Sequence, residues 1–104
     1  MDVKGSLSAL ILHVVSRSPS YGYRIAQEIK RRSSGVLDFR EGTLYPALHL
    51  LEEKGLVESY DGKEAGRTRR YYRLTRKGRA ALAKERKEWA RFSGAVSSLL
   101  AEAT

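Results

Sequence analysis

Residues 41–57 read EGTLYPALHLLEEKGLV. Leu44, Ala47, Leu48 and Leu51 fall at the i, i+3, i+4, i+7 spacing of one helix face. Pro46 interrupts that stripe, and proline in a helix interior costs about 3 kcal/mol. The conflict disappears if Gly42 or Thr43 caps the helix. Pro46 then lies in the first turn, whose N–H groups have no intrahelical partner. Tyr45, as the residue before proline, is biased away from the α region. Gly55 suits the left-handed position just past the helix end. A helix with so stiff a start points that end at a partner, and the rest of the chain indicates the partner's chemistry.

The chain has 104 residues, enough for one domain, and a formal charge of +8. Residues 60–79 hold eight Lys or Arg against two acids, and residues 17–32 hold five against one. Residues 41–58, around the proline helix, are net acidic at −3. Clustered positive charge of this kind suits a polyanion, either nucleic acid or anionic lipid. No apolar run approaches the length of a membrane span, and SPSYGY after the apolar N-terminal stretch is a poor signal-peptide cleavage site. Cysteine is absent, which excludes disulfides, thiolate catalysis and cysteine-based zinc sites.

Working outward, a first helix is expected from Lys4 to Arg17, with Leu7, Leu10, Ile11 and Val14 inward. Leu12 and Val15 form a second apolar face, and a helix apolar on two sides is buried on two sides. After SPS, Ser20 can cap a second helix that runs to Arg32 with Ile25, Ala26 and Ile29 facing in. Gly35 follows its end, and VLDF (36–39) reads as a short strand. Beyond the proline helix, LVESY (56–60) and TRRYYRL (68–74) read as a hairpin around DGKEAGR. Thr75 then caps a final helix toward Glu102, about 40 Å long at 1.5 Å per residue. Gly78 weakens its first turn slightly. Leu82, Trp89 and Val96 recur every seven residues, with Phe92 and Leu99 three further on, as in a heptad seam.

This order is mostly α with a small β-ribbon. It is that of a winged helix-turn-helix over residues 1–75, whose third helix enters the DNA major groove. Residues 76–104 form a dimerisation helix that packs with the first helix and is not an independent domain.

GTLYPALHLLEEKGLV, GRTRRYYRLTRKGR and the pair Gly22–Tyr23 together resemble the signature of the phenolic acid decarboxylase regulator (PadR) family. The motifs are separated, appear in order and span roughly residues 5–92. The resemblance implies a bacterial, cytoplasmic, dimeric transcriptional regulator, usually a repressor, of the subfamily with one terminal helix. It also implies double-stranded DNA and a second copy of the chain as partners.

Candidate DNA contacts follow. Tyr45 and His49 share an outward helix face by i, i+4 spacing. Thr43 and the N–H groups at the helix start can meet a phosphate. Tyr45 has a second reading, filling a gap beside the second helix, and His49 can be plain surface. In the ribbon, Lys63, Arg67, Arg69 and Arg70 are the candidates, with Arg67 at the tip. Alternation puts Tyr72 and Leu74 on one face and Tyr71 and Arg73 on the other. Tyr23 and Arg24 add the start of the second helix.

Some family members bind flat aromatic ligands between subunits, and the resemblance places Trp89 where a tryptophan would stack on them. Phe92, and Leu12 and Val15 of the second copy, would line that cavity. The plainer role of Trp89 is dimer core with Leu82, Phe92, Val96 and Leu99. His13 and His49 lack the company for a metal site, so neither metal nor cofactor is expected. No set of residues meets the requirements of an active site, so an enzyme is rejected. An alternative remains: a winged-helix protein acting through protein contacts, favoured by the acids Glu41, Glu52 and Glu53.

Overall fold

The structure is a computed structural model that describes residues 3–101. It contains α1 (Val3–Arg17), β1 (Ser20–Tyr21), α2 (Gly22–Arg32), α3 (Glu41–Glu53), β2 (Val57–Glu64), β3 (Arg67–Leu74) and α4 (Arg76–Ala101). The three strands form one antiparallel sheet in the order β1-β3-β2. Residues 102–104, where the last helix was expected to end, lie outside the described residues.

α1 runs through the middle, touching α2, α3, β3 and α4. Its two apolar faces are therefore both covered by its own chain. Leu7, Ile11, Leu12 and Val15 join Ile25, Ile29, Leu44, Leu48, Leu51, Val57, Tyr72 and Leu82 in one core. This corrects two expectations. Leu12 and Val15 are 1% and 3% exposed within one protomer, so they line no cavity for a second copy. Leu82 is likewise core and not seam, because the first turns of α4 lie on α1. Leu10 and Val14, expected inward, are only partly buried.

Ser20 does not cap α2. It pairs with Tyr72 in β1, and the cap position falls to Tyr21, which makes no side-chain cap bond. VLDF is not a strand: Leu37 and Phe39 pack against the core while Val36 and Asp38 face solvent.

α3 starts earlier than expected, with Arg40 at the cap, so Pro46 is the sixth helical residue. The ring removes the N–H that would bond the Gly42 carbonyl. Gly42 is exposed, so that carbonyl is free to be solvated. The far end behaves as expected. Gly55 (φ 74°) donates to the Glu52 carbonyl at 2.9 Å and Leu56 to the Leu51 carbonyl at 2.9 Å, a Schellman motif.

The wing is longer than its apolar residues suggested. Glu64 pairs with Arg67, leaving only Ala65 and Gly66 as the loop. Both have positive φ, 52° and 79°, as a type I′ turn requires. Thr75 caps α4 as expected, accepting from the Gly78 N–H at 3.0 Å. The Thr75 hydroxyl also donates to the Gly55 carbonyl at 2.6 Å, and its N–H to the Leu56 carbonyl at 3.1 Å. These bonds fasten the start of α4 to the corner between α3 and β2.

Candidate nucleic-acid interface

Three elements converge on one side of the molecule. Tyr45 of α3 lies against the start of α2, so close that a Cβ on Gly22 would sit 2.7 Å from its ring. Arg24 of α2 reaches within 4.0 Å of Glu64, beside the tip of the wing. The starts of α2 and α3 and the wing tip thus form one surface. Between α2 and the start of α3 runs an open groove of about 1210 Å³, with Tyr23 and Gln27 on one wall and Arg40 and Gly42 on the other.

On α3, Thr43 and His49 are exposed, while Tyr45 is half-buried and packed against the core. Its placement matches the gap-filling reading more than a fully outward one, because glycine at position 22 lets the ring approach the α2 backbone. The backbone N–H groups of Thr43 and Leu44 both donate to the Arg40 carbonyl, at 3.0 and 2.9 Å. A phosphate at this helix start would therefore meet the Thr43 hydroxyl and the N–H groups of Glu41 and Gly42. Tyr23 is exposed, and its hydroxyl accepts from Gln27 at 3.1 Å.

The wing candidates fall into two groups. Lys63 and Arg67 are exposed near the tip and, among the described residues, form no ion pair. Arg70 is 3.2 Å from Asp61, its cross-strand neighbour. Arg69 folds over the Tyr21 ring, 4.7 Å from its centroid, and is half-buried. It is the least available of the expected arginines.

The sequence reading missed the cluster around Arg69. Tyr60 stacks on Tyr71 at 5.6 Å, Tyr21 meets Tyr71 edge-on at 5.5 Å, and Arg73 caps Tyr60 at 5.2 Å. Gly62 leaves room for Tyr71, since a Cβ there would lie 2.6 Å from the ring. A hydrogen bond to Glu64 is the main cause holding the Tyr21 phenol above its ordinary pKa. This ladder stiffens the wing. The period-2 run Arg67, Arg69, Tyr71, Arg73 marks one face of the strand, but that Tyr60 lies opposite Tyr71 is legible only once the turn is known to be two residues long.

Part of the acidity near α3 is absorbed internally. Glu52 accepts a hydrogen bond from Ser59 of β2, and Glu58 pairs with Arg73 at 2.6 Å. Glu41 and Glu53 remain exposed.

Residues 11–84 match the transcriptional regulator PadR-like family. The chain belongs to that family. The transcriptional regulator Rv3488 of Mycobacterium tuberculosis is 43% identical over 77 residues, which are 74% of this chain and 69% of its own. A PadR family transcription regulator from Clostridium difficile has the same fold at a TM-score of 0.80, with 32% identity over 92% of this chain and 99% of that one. A PadR-like regulator from Bacillus cereus gives 0.83, with 29% identity over 94% of each chain. This PadR-like protein is thus a transcriptional regulator and not an enzyme, with a winged helix-turn-helix DNA-binding fold and a long C-terminal helix. No helix among the described residues is long and apolar enough to cross a membrane.

Proposed function

We propose that this PadR-like regulator is a homodimeric repressor. It would bind an inverted-repeat operator through α3 and the wing, and a planar aromatic ligand would release it. The observation that carries the DNA reading is the shared surface of the α2 start, the α3 start and the wing tip. On it, Lys63 and Arg67 are exposed cations that form no ion pair among the described residues. Thr43, Tyr23 and Arg24 would hold phosphates beside them, and His49 would meet a base edge in the major groove. Arg69 and Arg70 would add to the field from behind their aromatic and acidic partners.

Each phosphate contact adds to the salt dependence of binding. A dimer neutralising about eight phosphates should show log K falling against log salt with a slope near −7. Arg67→Ala should weaken binding to all sequences alike and flatten the slope by about 2 per dimer. His49→Ala should instead reduce discrimination between sequences. Filter binding across a salt series measures both, and an unchanged slope in Arg67→Ala would remove the wing from the interface. Failure of the wild type to bind DNA from its own upstream region at low salt would favour action through protein contacts, with Glu41 and Glu53 of α3 exposed for them.

The ligand reading rests on Trp89, which is 51% exposed and tilted against Phe92 at 5.9 Å. An aromatic stacked there gains about 0.5–1.5 kcal/mol beyond its buried area. Leu12 and Val15 do not contribute, so of the expected lining Trp89 and Phe92 remain. The ligand must also prefer a subunit spacing that misaligns the two α3 helices, since equal affinity for both spacings shifts nothing. Trp89 is the only tryptophan in the chain, so its fluorescence reports the site directly. Saturable quenching by a planar phenolic, weakened by DNA as much as the phenolic weakens DNA binding, is the expected result. Absence of quenching across a broad aromatic panel would reduce Trp89 to dimer core.

A further inference from the structure

Arginines crowd the place where α1, α2 and α4 meet. Arg86 Nη2 lies 2.6 Å from His13 Nδ1, and Arg32 Nη2 lies 3.4 Å from Nε2. A neutral imidazole has one accepting nitrogen and one N–H, and a guanidinium can only donate. One of the two contacts therefore sets donor against donor. Protonating the ring makes matters worse: burial first, then the charges of Arg86, Arg32 and Arg17, hold the His13 pKa below its ordinary value. The cluster has donors in excess and too few acceptors.

Arg17 and Arg32 also border a cleft of about 310 Å³ between the end of α1, β1 and α2. Arg24 and Arg31 line it too, and its one carboxylate, Glu28, is bonded to Arg31 at 2.5 Å. Ser20 lines it as well, beside Ser18 and Val14. Ser20 is only 5% exposed, and its Oγ is buried without a hydrogen-bond partner. A buried hydroxyl without a partner is unfavourable, since it has given up its bonds to water. Two features thus ask for an acceptor: the guanidinium donors that line the cleft outnumber its carboxylate, and its serine hydroxyl is unpartnered; Arg32 links the cleft to the His13 cluster.

We propose that this cleft binds a phosphate group, with Arg17 and Arg32 as charged donors and Ser20 as the neutral one; Arg24 on its rim is turned to Glu64. Donors on α1, β1 and α2 suit a tetrahedral anion with several oxygens better than a carboxylate with two. A bound phosphate would give Arg32 an acceptor, relieving its mismatch with His13. The phosphate can belong to a soluble phosphorylated metabolite or to the DNA backbone. The proposal stands without the DNA reading, because its first test uses the free protein.

Inorganic phosphate is titrated into isotope-labelled protein at constant ionic strength, with chloride as the balancing anion. The Nε–H signals of Arg17 and Arg32 and the ring signals of His13 should shift saturably. Arg17→Gln with Arg32→Gln should weaken phosphate binding about tenfold or more, as loss of charge-assisted bonds implies. Ser20→Ala should weaken it less while leaving the circular dichroism unchanged. Duplex from the protein's own upstream region then assigns the source. If duplex moves the same signals and phosphate competes with it, the backbone is the ligand. If phosphate and duplex bind independently, the ligand is a soluble phosphate. Shifts that do not saturate, that chloride reproduces, or that survive the double substitution would overturn the proposal.

Discussion

Gly78→Ala should destabilise the protein by about 3 kcal/mol or more, a severe case of overpacking, and lower its melting temperature by roughly 15 °C. Gly78 lies in the first turn of α4, where alanine is normally favoured by up to about 1 kcal/mol. Here the preference is overridden. A Cβ at this position would fall far inside van der Waals contact distance of the Leu56 carbonyl oxygen, and 2.7 Å from Leu74 Cδ1. The carbonyl cannot yield cheaply, because it accepts the Thr75 N–H and belongs to the corner that fastens α4 to α3 and β2. Relief would require lifting α4 off its cap. Gly94 is the control in the same helix. Nothing lies within 4 Å of a Cβ there, and it falls opposite the heptad seam, so Gly94→Ala should be neutral or slightly stabilising. Denaturant titration at one fixed protein concentration compares the two. Similar behaviour of both variants would show that α4 does not lie on Leu56 as described.

Val96→Asp with Leu99→Asp should convert the proposed dimer to monomers. Beyond its first turns α4 leaves the body of the protomer, and Trp89, Phe92 and Leu99 are 51%, 44% and 69% exposed. Val96 is half-buried on the same row. An apolar row of this length on an isolated protomer marks an interaction surface, and the seven-residue recurrence suits a second copy of the same helix. Ionised aspartates in such a seam would be buried without partners, which is strongly unfavourable. The winged body should stay folded, because its core is complete within one chain and contains neither Val96 nor Leu99. DNA affinity should fall by about 10²–10⁴, the advantage lost when two tethered sites act separately. Sedimentation velocity at micromolar concentration gives the assembly state. An unaltered dimer in this variant would place the interface elsewhere.

Much of this fold was legible because its punctuation is local. Gly55 and Thr75 mark helix ends through their own backbone and side-chain chemistry, and the structure uses both as read. The apolar stripe on α3 needed only a period. What stayed hidden depends on neighbours distant in sequence. Ser20 looks like a cap until Tyr72 arrives to pair with it. Gly78 looks like a weak helix residue until Leu56 is laid against it. Leu12 and Val15 read as needing a second chain because α1 has two apolar faces, and Leu82 because it starts the heptad, but α4 and β3 cover the second face from within and Leu82 is part of that cover. The wing turn was concealed by Ala65, which adopts a left-handed conformation usually given to Asn, Asp or Gly.

The same distinction applies to the DNA-binding candidates. Exposure of Thr43, His49, Lys63 and Arg67 follows from pattern. The half-burial of Tyr45 depends on a glycine on another helix, and that of Arg69 on the Tyr21 ring. The gap-filling reading of Tyr45 is the one its placement favours, and Arg69 is less free than its place in the wing suggests.

A footprint of the protein on its own upstream region, taken with the stoichiometry of the complex, tests the central claim most directly. Two α3 helices related by a two-fold axis should protect two inverted half-sites about 10–10.5 base pairs apart, or a multiple of that, with two protomers bound. Protection of a single half-site by one protomer, or no sequence-selective protection at low salt, would contradict it.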